Sequence, residues 1–379
     1  MTFTATSVSE QPVQSLYWGH HTRLRTLRVG YVQLNDAAPF ILAETLGLFT
    51  KYGLTVELHR ELGWATARDK LIFGELEATQ ALAPLPFAAT LGLHMPVARE
   101  CVATMVLNVN GNAITLANHL RDEGVESADD LRAAARRRPT TRRITLGVVS
   151  LYSTHHILLR TWLSQLGIDP ARDVRIVVVP PAQMVRNLEA RNLDGYCVGE
   201  PWNGAAVQRK SGWTAATSAT IAPDHPEKVL MLRNDFKNNA SEECIRLTAA
   251  LLEACRLCDD PAQRADLVRY LSHRKYLNCP QSWLLRGFGL PLSTNAPQAG
   301  LDLATVRFSG PEVNAPTSAH ARWIIAGMGQ CGQFDGRTVD EDALADGLFA
   351  TDYFAAAERL TRQRSSPQTQ STRQIIAHL

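Results

Sequence analysis

"RITLGVVSLYSTHHILLRTWLSQLG", residues 143–167, changes periodicity half-way. "RITLGVV" is a short β-branched apolar run, the pattern of a buried strand. "THHILLRTWLSQLG" repeats its apolar residues at helical spacing and ends on Gly167, a helix stop. Ser153 or Thr154 is placed to cap that helix. The same strand-to-helix unit recurs along the chain. From residue 26, "TLRVGYVQ" reads as a strand, "DAAPFILAETLGLFTKYG" as a helix and "LTVELHRE" as a strand. "WATARDKLIFGE" follows as a helix, "LEATQALA" as a strand and "PLPFAATLG" as a helix opened by prolines. After residue 167 come "VRIVVV" (strand), "PAQMVRNLEARN" (helix), "LDGYCVG" (strand) and "EPWNGAAVQRKSG" (helix).

Two similar βαβαβα blocks offset by roughly 115 residues are too far apart for a solenoid and imply two α/β lobes. Alternation of strands with helices predicts parallel sheets, whose ligands sit beyond the carboxyl ends of the strands. The expected organisation is an N-terminal extension over 1–25, a first lobe over 26–115 and 228–362, a second lobe over 116–227, and a disordered polar tail over 363–379. The amphipathic segments "SEECIRLTAALLEACRLCDD" and "PAQRADLVRYLSHRKYL" are expected to pack on the first lobe.

A net charge of +2, from 39 basic and 37 acidic residues, lacks the basic field of a dedicated nucleic-acid binder. The N-terminal stretch has no export-signal pattern and no apolar run reaches membrane length, so a cytoplasmic location and no membrane partner are expected. Seven scattered cysteines fit reduced thiols. The CxxC of Cys255 and Cys258 lacks two further ligands for zinc, so no metal and no cofactor are expected. Arg132, Arg136, Arg137, Arg138, Arg142 and Arg143 form a polar stretch between the lobes. It reads as a solvated surface or as a contact for an acidic partner.

The helix that opens at residue 154 directs free backbone N–H groups and its positive end toward the cleft, which outlines an anion site. His155 on its first turn could add a ring donor there, or bond a loop carbonyl instead; His156 points about 100° away and reads as core or surface. Trp64 at a strand-to-helix junction, Asn112 in a loop between lobes and Lys228 at the return crossing each have an ordinary structural reading as well.

These blocks, "APFILAETLGLFTKYGL", "WATARDKL", "LNVNGNAITL", "VVVPPAQMV", "YCVGEPWN" and "DHPEKVLMLR", occur in an order that resembles the nitrate/bicarbonate-binding family of substrate-binding proteins, with NrtA-type, CmpA-type and NasS-type members. The resemblance implies a periplasmic-binding-protein fold of type II, an α/β fold with a cleft between two lobes. It also implies ligand contacts from Trp64, Asn112, His155 and Lys228, with Thr154, Gly199 and Glu200 nearby. All four main residues donate, which suits nitrate or nitrite, and a lysine rather than a carboxylate at 228 points away from bicarbonate. Asn112 departs from the glutamine usual in transporter members. With the bare N-terminus, the resemblance implies a cytoplasmic nitrate or nitrite sensor that releases a NasT-like, ANTAR-type RNA-binding antiterminator. The alternatives are the binding component of a nitrate ABC transporter, or a pyrimidine-synthase-like enzyme. Neither a GxSxG elbow nor paired carboxylates in the cleft segments support catalysis, so no enzyme activity is expected.

Overall fold

The computed structural model describes residues 25–95, 97–290, 306–310, 312–334 and 336–365. The N-terminal extension and most of the C-terminal tail lie outside them; the part of the tail that is described, up to Ser365, ends the helix Thr351–Ser365.

Among the described residues ten strands form two five-stranded sheets. The first contains β1 (Thr26–Val32), β2 (Thr55–Glu61), β3 (Ala78–Leu82), β4 (Cys101–Val109) and β10 (Pro226–Arg233). The second contains β5 (Asn112–Ala117), β6 (Ile144–Val148), β7 (Val174–Val178), β8 (Gly195–Gly199) and β9 (Gly212–Thr217). Their orders, β2-β1-β3-β10-β4 and β7-β6-β8-β5-β9, are one topology used twice. The duplication read from the sequence is therefore a duplication of architecture.

The expectation of purely parallel sheets is corrected. β10 runs antiparallel to β3 and β4, and β5 runs antiparallel to β8 and β9. Each is the strand by which the chain enters the opposite lobe, so it arrives from the crossing end and fits the sheet only in reverse. The crossings also fall elsewhere than 115/116 and 227/228, which lie inside β5 and β10. The chain leaves the first sheet after Val109 and returns to it at Pro226.

The outward crossing is Asn110 (φ 61°) and Gly111 (φ 91°). A β-carbon on Gly111 would stand 2.9 Å from Cβ of Val306, so both conformation and space require glycine. Asn110 ties the two crossings together: its Nδ2 donates to Oδ1 of Asp224 at 3.2 Å, and its Oδ1 accepts from the Asp224 N–H at 3.0 Å. Asn110, not Asn112, serves the turn.

The helix Thr154–Gln165 has Ser153 as its cap, whose hydroxyl accepts from the His156 N–H at 3.1 Å. Gly167 at φ 69° closes it. Helix Ser241–Asp259 buries Leu247, Leu251, Cys255 and Cys258 against Leu107 and Leu230 of the first lobe, and Leu267 and Leu271 of helix Arg264–Ser272 join the same core. The segment 228–362 is not confined to that lobe. A β-carbon on Gly327, in helix Ser318–Gln330, would come within 2.8 Å of Ile157 of the second lobe.

The lobes meet tightly. The Asn35 N–H donates to the Glu200 carbonyl at 2.8 Å, and Nε1 of Trp202 donates to the Gln33 carbonyl at 3.2 Å. Gly287 fits against this seam: a β-carbon there would lie 2.8 Å from Cβ of Glu200 and would also collide with the Asn35 side-chain amide. Gly287→Ala is expected to lower stability by about 1–3 kcal/mol through overpacking and to loosen lobe closure. Chemical denaturation with small-angle scattering checks both; an unchanged radius of gyration and midpoint would contradict the packing described.

Candidate functional site

Lys228 lies on β10, where pairing with β4 shifts register on both sides of it. Neighbours on a regular strand face opposite sides of the sheet; at this irregularity Glu227 and Lys228 instead meet side by side. The Lys228 ammonium is wholly buried, 2.7 Å from Oδ2 of Asp36, in contact with Oε1 of Glu227, and 5.3 Å from the centre of the Trp64 ring. Nε2 of Gln80 donates to the other Asp36 oxygen at 2.7 Å, while its own Oε1 accepts from the Val32 N–H at 3.1 Å. Both Asp36 oxygens thus receive donors, the environment of a carboxylate rather than an acid.

Glu227 links this group to the second lobe. Thr154 donates its hydroxyl to Oε2, and the ring nitrogens Nε2 of His155 and His225 stand 3.4 Å from Oε1 and Oε2. Burial opposes its ionisation, but the Lys228 ammonium outweighs it and holds its carboxyl well below the usual range. Burial also works against the charge on Lys228, and Asp36 and Glu227 more than offset it. Burial raises Asp36 against the pull of Lys228. For His155 burial dominates, moving the imidazole down to about 3 despite Glu227, so it is neutral at pH 7.

Asn112 begins β5 opposite Gly199 at the end of β8. A β-carbon on Gly199 would lie 3.3 Å from Oδ1 of Asn112 and 3.5 Å from Oδ2 of Asp36, so a bare glycine here lets the amide approach the Asp36–Lys228 pair. Trp64 opens the helix Trp64–Ile72, beside the lysine. The structure therefore gathers Trp64, Asn112, Thr154, His155, Gly199 and Lys228 from both lobes into one buried region. Glu200 is turned elsewhere: its Oε2 accepts from the Gly204 N–H at 2.9 Å, at the start of helix Trp202–Gln208.

Four side chains in this region have buried polar atoms with no hydrogen-bond partner among the described residues: Nε1 of Trp64, both amide atoms of Asn112, both ring nitrogens of His155 and Nε2 of His225. Such groups carry a desolvation penalty of about 1–3 kcal/mol each unless something bonds them. Their convergence on a lysine singles this region out as the candidate site.

Two expectations are corrected here. The site is not made of donors alone, because Asp36 and Glu227 bring acceptors and neutralise Lys228. Paired carboxylates do occur in the cleft, though the lysine between them holds both as counter-ions. Asp36, Gln80, Glu227 and His225 went unread. "LNDAAPF" and "DHPEKV" carried the only signal, acidic residues at a strand end and beside the chosen lysine.

His156 turns away from this region, with Nδ1 3.0 Å from the Leu151 carbonyl and 3.0 Å from Nε2 of Gln333. Cys255 and Cys258 lie in the first-lobe core, where Sγ of Cys255 contacts the Leu107 carbonyl at 3.5 Å and burial pushes both thiols up. No helix among the described residues is long and apolar enough to cross a membrane.

Residues 21–272 match the NMT1-like family. The chain belongs to this family. Among its relatives, the nitrate/nitrite binding protein NrtA of Synechococcus elongatus is 30% identical over 385 residues, covering 98% of this chain and 86% of that protein. The bicarbonate transport ATP-binding protein CmpC of the same species is 36% identical over 348 residues, covering 90% of this chain and 51% of CmpC. The chain spans about half the length of the curated relatives of this second kind. The crystal structure of the periplasmic nitrate-binding protein NrtA from Synechocystis PCC 6803 superposes with a TM-score of 0.82 at 26% identity, covering 89% of each chain. The alkanesulfonate-binding protein SsuA from Xanthomonas axonopodis, at 15% identity and a TM-score of 0.58, shares the fold. The fold is that of the periplasmic binding proteins, two α/β lobes with helices around their sheets.

Proposed function

We propose that this protein binds nitrate or nitrite between its lobes, as the substrate-binding component of an anion import system. The observation that carries the reading is the set of buried, unpartnered groups on Trp64, Asn112 and His155 beside the Lys228 ammonium. A planar monoanion with three acceptor oxygens would satisfy the indole, amide and imidazole donors together, and these donors come from both lobes. The NrtA relatives support the ligand and the import role. Because acceptors are present as well, the argument against bicarbonate from donors alone lapses, and bicarbonate belongs in the test.

Calorimetric titration with nitrate, nitrite and bicarbonate is the deciding experiment. Nitrate or nitrite is expected to bind, and Trp64→Phe, Asn112→Ala and His155→Ala are each expected to weaken it about tenfold or more, since a hydrogen bond to a charged ligand is worth about 1.5–3 kcal/mol. Binding of bicarbonate alone, or variants indistinguishable from the parent, would refute the assignment. The sensor reading, cytoplasmic and coupled to an ANTAR-type antiterminator, stands behind the import reading, since the named relatives are binding and import components. Cell fractionation separates the two: an exported or membrane-associated protein supports import, and a cytoplasmic one co-purifying with an RNA-binding antiterminator supports the sensor.

A further inference from the structure

The two adjacent histidines face different places. His155 joins the inter-lobe site, whereas His156 lines a cavity of about 550 Å³ on the second lobe. That cavity lies along β7, the edge strand of its sheet, and is bounded by the guanidinium side chains of Arg142, Arg143, Arg160 and Arg175 and by Thr140 and Thr141. No carboxylate lines it.

Arginines elsewhere in the described structure are commonly matched: Arg138 pairs with Glu123 and Asp194, Arg209 with Glu189, and Arg28 with Glu77. Among the described residues none of the four cavity arginines has an ion pair or a side-chain hydrogen bond, and Nε of Arg143 is buried without any partner. Like charges gathered around one concave surface repel one another, and an orphaned buried guanidinium N–H is costly. Both penalties vanish when a multiply charged anion sits among them.

We infer that this cavity is a second anion site, built for a diphosphate group, either free or as the tail of a nucleotide. A monoanion such as nitrate would leave most of the positive charge uncompensated. A diphosphate carries several negative charges on six or more terminal and bridging oxygens, which planar guanidinium forks and threonine hydroxyls recognise well. The cavity volume also falls in the range of small-molecule sites and exceeds the need of a lone inorganic oxyanion. No aromatic side chain other than His156 lines the cavity, so charge rather than base stacking sets the preference.

The test is calorimetric titration of the full chain with inorganic pyrophosphate, ADP and orthophosphate near physiological salt, alongside Arg143→Gln and Arg175→Gln. Arg175 is exposed on the edge strand, so its variant is expected to fold normally, which a thermal melt verifies. Saturable pyrophosphate binding is expected, weakened about tenfold by either substitution and further by added salt, with the nitrate titration unchanged. ADP binding more tightly than pyrophosphate identifies a nucleotide as the source; equal affinities identify the free diphosphate. Absence of saturable binding at millimolar pyrophosphate, variants that bind pyrophosphate as tightly as the parent, or orthophosphate binding as tightly as pyrophosphate would overturn the inference.

Discussion

Lys228→Met is expected to destabilise the protein by about 3–5 kcal/mol and to abolish anion binding. The ammonium is wholly buried between Asp36 and Glu227, and its removal strands two carboxylates in a medium that solvates neither. The effect on folding and the effect on binding have separate causes, and a second variant separates them. In Asp36→Asn/Glu227→Gln/Lys228→Met the buried charges go together, and exchange of a whole buried ionic group for neutral ones of similar size is often close to neutral. Most of the lost stability is therefore expected to return, whereas nitrate binding is not. Urea denaturation followed by circular dichroism, paired with calorimetry, reads both. If Lys228→Met unfolds at the parent's urea concentration, the lysine is not the counter-ion of this group.

Acid is expected to destabilise the protein from about pH 6.5 downward. Burial lowers His155 to about 3 and His156 to about 4, against about 6.5 in the unfolded chain. Between those limits the unfolded state binds more protons, so stability rises with pH. The contribution of each neutral imidazole is fully present above about pH 6.5 and is lost as pH falls toward its folded value. From pH 7.5 to 5 each histidine accounts for about 2 kcal/mol of that loss. His156→Gln, remote from the inter-lobe group, is expected to flatten the slope by up to about 1.4 kcal/mol per pH unit below pH 6. A slope identical to the parent's would show that His156 is not held neutral.

The same charges predict a link between ligand and proton. Lys228, Asp36 and Glu227 together carry one net negative charge, and His155 is neutral, so a bound monoanion adds to a buried negative excess. An anion beside His155 favours the imidazolium, raises its pKa, and draws in a proton on binding. Affinity is then expected to increase as pH falls from neutrality, with up to about tenfold gain per unit. Calorimetry in buffers of different ionisation enthalpy measures the uptake directly; uptake that stays at zero as the pH is lowered toward the free-state value of His155, about 3, would contradict the coupling.

How far the chain could be read depended on whether a signal was local. The helix Thr154–Gln165 was legible at both ends, because its cap is a serine hydroxyl bonding three residues ahead and its stop is a glycine at positive φ. The duplication was legible because periodicity survives without knowledge of the partner strand. The reversed direction of β10 was not: "PEKVLMLR" is buried along nearly its whole length, and an apolar run carries no mark of orientation. The spacing of the CxxC at 255 and 258 does not encode that its helix turns both thiols into the first-lobe core.

For the site, Trp64, Asn112, His155 and Lys228 were singled out from junctions between strands and helices and from the resemblance, and the structure gathers them in one place. Asp36 and Glu227 could not be chosen among 37 acidic residues, because nothing local distinguishes a carboxylate that will be buried against a lysine from one left in water. The sequence by itself determined the two α/β units, their repeated order and the helix that carries His155, since hydrophobic periodicity, caps and glycine stops act over a few residues. Only the tertiary structure decided the strand directions at the crossings, the Asp36–Lys228–Glu227 group and the facing of His155 and His156 to different sites. Those depend on side chains from distant parts of the chain sharing one low-dielectric volume, where burial and Coulomb attraction fix charge states that no local pattern encodes.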